Sequence, residues 1–199
     1  MQYFDTLPKV VQTDNVGISR VFTNLMARAS IIPDVLKNPL VYYSYDIQEG
    51  DTPETIAYKY YGDSYRYWIV LFANELLDPQ WSWPMDSKVF SAYMAEKYPS
   101  GNTTTTVHSY EKKLTQTDND TNTVTINTID INEQEYNTLV PNTRTYTIAN
   151  STVTVQTTKR IVTVYDYENE LNESKRKINI LNSIYVDQLE SQFKSLMSQ

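Results

Sequence analysis

The side chains best suited to acid–base chemistry are the sole histidine, His108, and a run of carboxylates at Asp46, Glu49, Asp51 and Glu54. A histidine titrates near neutral pH, and a pair of carboxylates flanking a sugar bond would make a glycosidase. Neither signal goes far. His108 stands in Val107-His108-Ser109, which reads as an exposed strand, and no glycine-flanked serine elbow supplies a nucleophile for it. The acids fall before and within a helix start, where the positive end of the dipole favours them. Asp118-Asn119-Asp120-Thr121-Asn122 places oxygen donors at the first, third and fifth positions of a calcium loop. Thr123 then stands where the loop needs glycine, and Ile129 where a bidentate glutamate belongs. The chain has no cysteine, which removes thiolate metal sites and disulfides, and its 4 glycines are too scattered for a phosphate- or dinucleotide-binding loop. The sequence thus predicts no enzyme, no metal site and no cofactor.

The elements that would carry those acids lie between Tyr45 and Pro84. Tyr43, Tyr45 and Ile47 alternate with polar residues, as a half-buried strand does, and Gly50 ends the run. Thr52 before Pro53 marks a helix start, with Ile56, Ala57 and Tyr60 facing inward. Gly62 suits the left-handed position after the last turn. Asp63 or Ser64 caps a second helix with Trp68, Leu71 and Phe72 inward, and Asn74 ends it. Trp81 and Trp83 alternate before Pro84, which predicts a short second strand beside the first.

That order resembles the LysM module through Tyr45-x-Ile47-x-x-Gly50-Asp51-Thr52, then Ile56-Ala57, Tyr61-Gly62-Asp63 and Leu71-x-x-Asn74. After Asn74 the chain departs from the ordinary module, with Asp78-Pro79 and Trp81-Ser82-Trp83-Pro84. Tyr67-Trp68-x-x-Leu71-x-x-Asn74 with Asp78-Pro79 and Trp83-Pro84 is instead similar to the LysM-like baseplate wedge protein of T4-like, contractile-tailed bacteriophages. The segment Tyr167 to Leu181 is similar to that family's carboxy-terminal segment. The resemblance implies a structural component of a phage tail baseplate wedge that clips neighbouring wedge subunits together during assembly around the hub. It also implies assembly in the host cytoplasm, residence in the virion, and other wedge proteins and the central hub as partners. The alternative is a LysM module that binds peptidoglycan or N-acetylglucosamine, with Asp51, Thr52 and residues after Asn74 lining a sugar groove.

The rest of the 199 residues is expected to be α+β, with four parts. Residues 1–42 read as a docking arm: Leu7 to Val11 is extended, Ser19 caps a helix through about Ala29 with Val21, Phe22, Leu25 and Met26 inward, and Pro33 and Pro39 bracket a short turn of helix. Residues 43–98 hold the LysM-like βααβ unit and a following helix from Asp86 or Ser87, with Phe90, Tyr93, Met94 and Lys97 at helical spacing. Residues 99–165 form a Thr/Asn-rich antiparallel β region, with 19 threonines between Thr103 and Thr163. Hairpin loops are expected at Thr117-Asp118-Asn119-Asp120 and Ala149-Asn150-Ser151, and a helical turn at Glu133 to Tyr136. Residues 166–199 contain a helix from Asp166 or Asn169 to Lys175, an extended Lys177 to Leu181, and a last helix from about Ser183 with Val186, Leu189, Phe193 and Leu196 in one stripe.

A net charge of −7 argues against a nucleic-acid surface, and Lys175-Arg176-Lys177 sits among Glu168, Glu170 and Glu173 as a salt-bridged helix face. The amino terminus lacks the features of a signal peptide. The longest apolar run, Tyr67 to Ala73, falls far short of the roughly 20 residues that cross a bilayer. The expected partners are therefore proteins, with no membrane, nucleic acid or small-molecule substrate. The 17 tyrosines supply flat apolar faces with polar tips, as interfaces do, and equally suit sheet faces and small cores. Expected contact surfaces are Tyr42 and Tyr43, the Trp81 and Trp83 edge, and the Phe193 to Leu196 stripe.

Overall fold

A computed structural model describes residues 3–27, 29, 40–148 and 151–198. The expected helical turn between Pro33 and Pro39 and the loop residues Ala149 and Asn150 lie outside the described residues. After a 3-10 turn at Tyr3–Thr6 come β1 (Lys9–Thr13), β2 (Ser19–Thr23) and β3 (Tyr42–Asp46). Then follow α1 (Pro53–Tyr61), a 3-10 turn at Ser64–Arg66, α2 (Tyr67–Ala73), α3 (Pro79–Ser82) and α4 (Ser87–Lys97). The middle of the chain holds β4 (Val107–Asp118), β5 (Val124–Ile131), α5 (Glu133–Thr138), β6 (Asn142–Ile148) and β7 (Ser151–Thr163). The chain continues with α6 (Val164–Glu173), β8 (Lys177–Leu181), a 3-10 turn at Ser183–Tyr185 and α7 (Val186–Met197). The fold is α+β, with antiparallel sheets throughout the described residues. Two compact units are formed, Met1–Ser87 with Asn172–Gln199, and Lys88–Leu171.

In the first unit, local chemistry sets α1 as expected. Thr52 Oγ1 accepts from Thr55 N–H while Thr55 Oγ1 accepts from Thr52 N–H, a reciprocal capping box with Pro53 at the first helical position. Gly62 closes the helix at φ 69°, a left-handed position where a Cβ would be strained. Ile56 and Ala57 are buried, but Tyr61 joins them in place of Tyr60, which stands at the rim edge-on to Tyr45. Asp63 caps the 3-10 turn that leads into α2. The helix α2 is apolar on nearly every side, so it is buried at Trp68, Ile69, Val70 and Ala73, with Leu71 and Phe72 half-buried.

The closing strand is not where the tryptophans predicted it. Asp78-Pro79 starts a single helical turn, because proline has its φ preset for the first helical position, and Ser82 N–H and Trp83 N–H donate back to Asp78 O and Pro79 O. The partner of β3 is β8, in a register running from Tyr42↔Leu181 to Asp46↔Lys177. The Asn74 carboxamide, at the end of α2, donates to Val70 O and to Asn179 O at 2.7 Å, and accepts from Asn179 N–H at 2.7 Å. One side chain thus covers the outer edge of β8 as a neighbouring strand would. Ile178, Ile180 and Leu181 are buried against α2 and α1 in one core with Tyr42 and Ile47.

The last helix, α7, packs on this same core. Val186, Phe193 and Met197 are buried, and Phe193 lies 5.0 Å from the Trp68 ring and 5.4 Å from Tyr3. Leu196 is exposed instead, because the i+4 step from Phe193 lands on Met197. Arg66 forks to Glu190 and Asp187 on α7. Asn172, also buried, exchanges two hydrogen bonds with the Met85 backbone, and Lys175 Nζ donates to Trp81 O.

The amino-terminal helix expected from Ser19 is a strand. Asp14 Oδ1 accepts from Val16 N–H and Ile18 N–H, and Gly17 takes φ 84°, so Asp14 to Ile18 is a tight turn that folds β2 back on β1. Ser19 faces Thr13 across the pair rather than capping a helix. Val21, Leu25 and Met26 are exposed, not inward.

In the second unit the threonine-rich region forms a sheet of order β5-β4-β7-β6. The turn at Asp118 to Thr123 and the helix α5, capped by Asn132, stand where they were expected. Thr163 and Asp166 form a second reciprocal cap, so α6 opens at Val164 and Asp166 serves as the third helical residue rather than the cap. Few apolar side chains of this unit are buried among the described residues: Phe90, Met94, Val153 and Val162, the two valines on opposite faces of β7. The buried Glu168 carboxylate accepts from Tyr98 Oη at 2.7 Å, Lys97 Nζ at 2.8 Å and Tyr93 Oη at 3.0 Å. Burial alone would raise this carboxyl, but the three donors outweigh it and hold the group below the usual glutamate range.

Two outcomes are expected. Asn74→Ala removes both bonds to the Asn179 backbone and should cost about 0.5–1.5 kcal/mol in a urea titration, since water can reach the exposed strand edge. Asn74→Ser, too short to reach both groups, should recover little of it. For Glu168, a depressed folded pKa means its contribution is complete above the unfolded value of about 4.3 and is lost as pH falls through the folded value. Glu168→Gln should therefore cost about 1–3 kcal/mol at pH 7 and flatten the loss of stability below about pH 4, followed by thermal melts across that range.

Candidate functional site

Two of the four carboxylates with catalytic potential, Asp51 and Glu49, are engaged in structural hydrogen bonds. Asp51 accepts from Tyr45 Oη at 2.6 Å and from Gln48 N–H at 2.9 Å. Burial and then the Asp51 hydrogen bond push the Tyr45 phenol up, against the pull of Lys59. Glu49 accepts from Ser87 Oγ and Ser87 N–H, both at 2.6 Å, and faces Arg176 at 3.6 Å. The Ser87 hydroxyl, then its N–H, hold Glu49 below the usual carboxylate range. Glu54 is exposed in the first turn of α1 and Asp46 is exposed on β3. Glu49, held low, is the opposite of the raised general acid that two-carboxylate hydrolysis needs.

His108 is an exposed residue of β4, its ring stacked on Tyr167 at 3.8 Å, with Ser109 Oγ at 3.4 Å from Nδ1. In the loop that brushes against a calcium site, Asp118 Oδ1 accepts from Asp120 N–H and Thr121 N–H, while Asp120 Oδ2 accepts from Thr152 N–H. These oxygens fasten a turn. Among the described residues no group of three or more His, Cys, Asp or Glu side chains is placed to hold a metal ion, and no helix is long and apolar enough to cross a membrane. The expected salt-bridged face is divided: Arg176 pairs with Glu173 and Glu49, whereas Glu168 pairs with Lys97 and Glu170 with Arg160.

What the molecule offers outward is aromatic and apolar surface. Of the six side chains expected at contacts, Tyr42 and Phe193 are core residues of the first unit, 7% and 3% exposed. Both pack on this chain's own side chains. Tyr43, Trp81 and Leu196 are each more than half exposed. Tyr43 Oη accepts from Asn182 Nδ2, which fixes its ring at the surface. Trp83 is half-buried and donates its indole N–H to Asp51 O at 3.0 Å, so it braces the loop from inside. The motif residues Tyr45, Ile47, Gly50, Asp51, Thr52, Ile56, Ala57, Tyr61, Gly62, Trp68, Leu71 and Asn74 all serve one body, as strand, turn, cap or core. Asp78 and Pro79 start the turn that carries Trp81 outward.

The surface that sequence reasoning missed is the β1–β2 hairpin, where Val10, Val11, Val21 and Phe22 are all exposed. Its signal was present in Asp14-Asn15-Val16-Gly17 between two β-branched runs.

No curated protein matches the chain. A family model described as Base plate wedge protein 53 matches residues 3–197, nearly the whole length. The exposed aromatic and apolar side chains of the described residues suit a protein that packs against others. The chain belongs to the Base plate wedge protein 53 family, and is thus a structural, non-enzymatic component of the wedge in the phage tail baseplate, which partners other baseplate proteins.

Proposed function

We propose that the chain acts as a clip, joining neighbouring wedge proteins during assembly around the central hub, and that its first unit is a LysM-like scaffold turned from sugar binding to protein binding. Support for the scaffold comes from the order in which β3, α1, α2 and β8 surround one core as strand, helix, helix and strand. The observation that carries the binding role is the exposure of Tyr43, Trp81 and Leu196 on a body whose polar loop groups are already paired. Aromatic anchors of this kind dominate protein interfaces, since they bury much apolar area for little lost rotamer freedom. In a sugar-binding reading, the Asp51 loop would present free hydrogen-bonding groups. Here the Asp51 carboxylate faces Tyr45 and Gln48, and the Asp51 carbonyl takes the Trp83 indole.

Mixing the purified chain with baseplate wedge subcomplexes should give co-migration and promote joining of wedges, with no retention on N-acetylglucosamine polymers. A folded chain that fails to associate with the wedges would overturn the clip, and robust retention on the polymer would favour the glycan reading. Trp81→Ala should weaken association by about tenfold, roughly 1.4 kcal/mol, with the melting temperature unchanged. Phe193→Ala should act through stability, at about 3–5 kcal/mol, as the deletion of a core ring does.

A further inference from the structure

The least explained surface in the first unit is the hairpin β1–β2. Its register pairs Val10 with Phe22 on one face and Val11 with Val21 on the other, so each face of a two-stranded ribbon carries an apolar cross-strand pair. All four side chains are exposed, and at the tip Val16 and Ile18 are exposed as well. A two-stranded hairpin is marginal in water when neither face is covered. This one is nevertheless firmly mounted. Leu7, just before β1, is 4% exposed in the core, Tyr3 stacks on Phe193, and Asn24 N–H donates to Pro8 O across the base. The tip is fastened by Asp14, whose carboxylate accepts two backbone N–H groups. A ribbon of about 17 Å is thus held out from a buried base, at 3.3–3.4 Å per residue.

Its charge narrows the choice of occupant. Asp14 is engaged in the turn, while Lys9 and Arg20 remain as the cations of the ribbon in a chain of net charge −7. Lys9 bonds the Thr23 hydroxyl, and Arg20 has no partner among the described residues. On a second copy of the chain, the sheet face with three exposed apolar side chains is a poor acceptor. That face, with Ile129, Tyr146 and Ile161, also carries Lys112, Arg144 and Lys159 by register, which would repel the ribbon. We infer that the β1–β2 hairpin is a docking blade that inserts into an apolar, acid-rimmed groove of a different baseplate wedge protein, with Val10, Val11, Val21 and Phe22 gripped from both sides and Arg20 meeting the acidic rim.

This proposal rests on the clip reading, and the experiment separates the two. The full chain carrying Val11→Ser, Val21→Ser and Phe22→Ser is compared with the parent for binding to wedge subcomplexes, with circular dichroism and melting as controls of folding. The triple variant should lose about a hundredfold or more in affinity at an unchanged melting temperature of the main transition. Arg20→Glu should lose about tenfold at low salt and less as ionic strength rises. Hydrogen exchange on the parent chain should show the β1 and β2 amides gaining protection only in the complex, a readout that needs no variant to fold. Unchanged affinity of the folded triple variant, or hairpin amides that gain no protection, would sink the blade and leave the clip standing. A parent chain that does not bind removes both. Self-association that the triple variant abolishes would overturn the choice of a different protein as occupant.

Discussion

The first unit depends on the pairing of β3 with β8, because that pairing brings the two ends of the chain into one core. Ile178, Ile180 and Leu181 form the wall against which α1 and α2 close, and without them Ile56, Ile69 and Val70 would face water. Burying such side chains is worth about 1.5–3 kcal/mol each, far more than the strand's own propensity supplies. The entropic cost of closing so long a loop grows only with the logarithm of its length, so a large segment can stand between the two strands. What the distance demands is specificity of register. Asn74 supplies it by bonding both backbone groups of Asn179, since a slip of one residue would present it with the wrong side of the strand.

The second unit solves the opposite problem, a sheet with little apolar material to bury. Its strands are rich in threonine, which favours the extended backbone through its branched Cβ and leaves a hydroxyl for the polar face. Among the described residues only Phe90, Met94, Val153 and Val162 are buried apolar side chains of this unit, and the Glu168 network adds a buried polar group. Such a network is useful only when every member is satisfied, for an unpaired carboxylate in the same place would cost more than the network contributes. Glu168 meets that condition with donors from α4, Lys97 and Tyr93, and from Tyr98 just after it. Arg160 does the same on the sheet, forking between Glu111 and Glu170.

Features set by neighbouring residues were legible in the sequence. Thr52-Pro53 and Gly62 bound α1 because capping involves groups only a few positions apart, and the alternation in Val153-x-Val155 reports a strand wherever its partner lies. Pairing across the chain left no such mark, so Lys177 to Leu181 could be read as extended but not as the partner of β3. Trp81 and Trp83 illustrate the limit: two alternating aromatics fit a strand and also a single turn, and Pro79 at the first helical position decides for the turn. Ser19 was ambiguous in the same way, as a hydroxyl favoured both at helix caps and in strand ends. For the contact surfaces, residue type could not tell Tyr42 from Tyr43 or Phe193 from Leu196. Which one is buried follows from the side of the element that meets the core, and that is fixed by tertiary packing alone.

The same constraint bears on the proposed reuse of a LysM-like scaffold in a structural protein. In the proposed scaffold, Gly50-Asp51-Thr52 joins a strand to a helix, and each polar group has a structural partner: Asp51 with Tyr45, Gln48 and Trp83, and Thr52 with Thr55. Groups committed in this way stiffen the loop but offer a sugar few free donors or acceptors. Hydroxyl-rich ligands are held by many such groups, whereas protein partners are held by a few desolvated apolar anchors within a polar rim. Trp83, which braces the loop from inside, lies two residues from the exposed Trp81 on the α3 turn. An exposed ring on a turn tied to a rigid loop suits the proposed clip, since an anchor that is already ordered loses less entropy when its partner arrives.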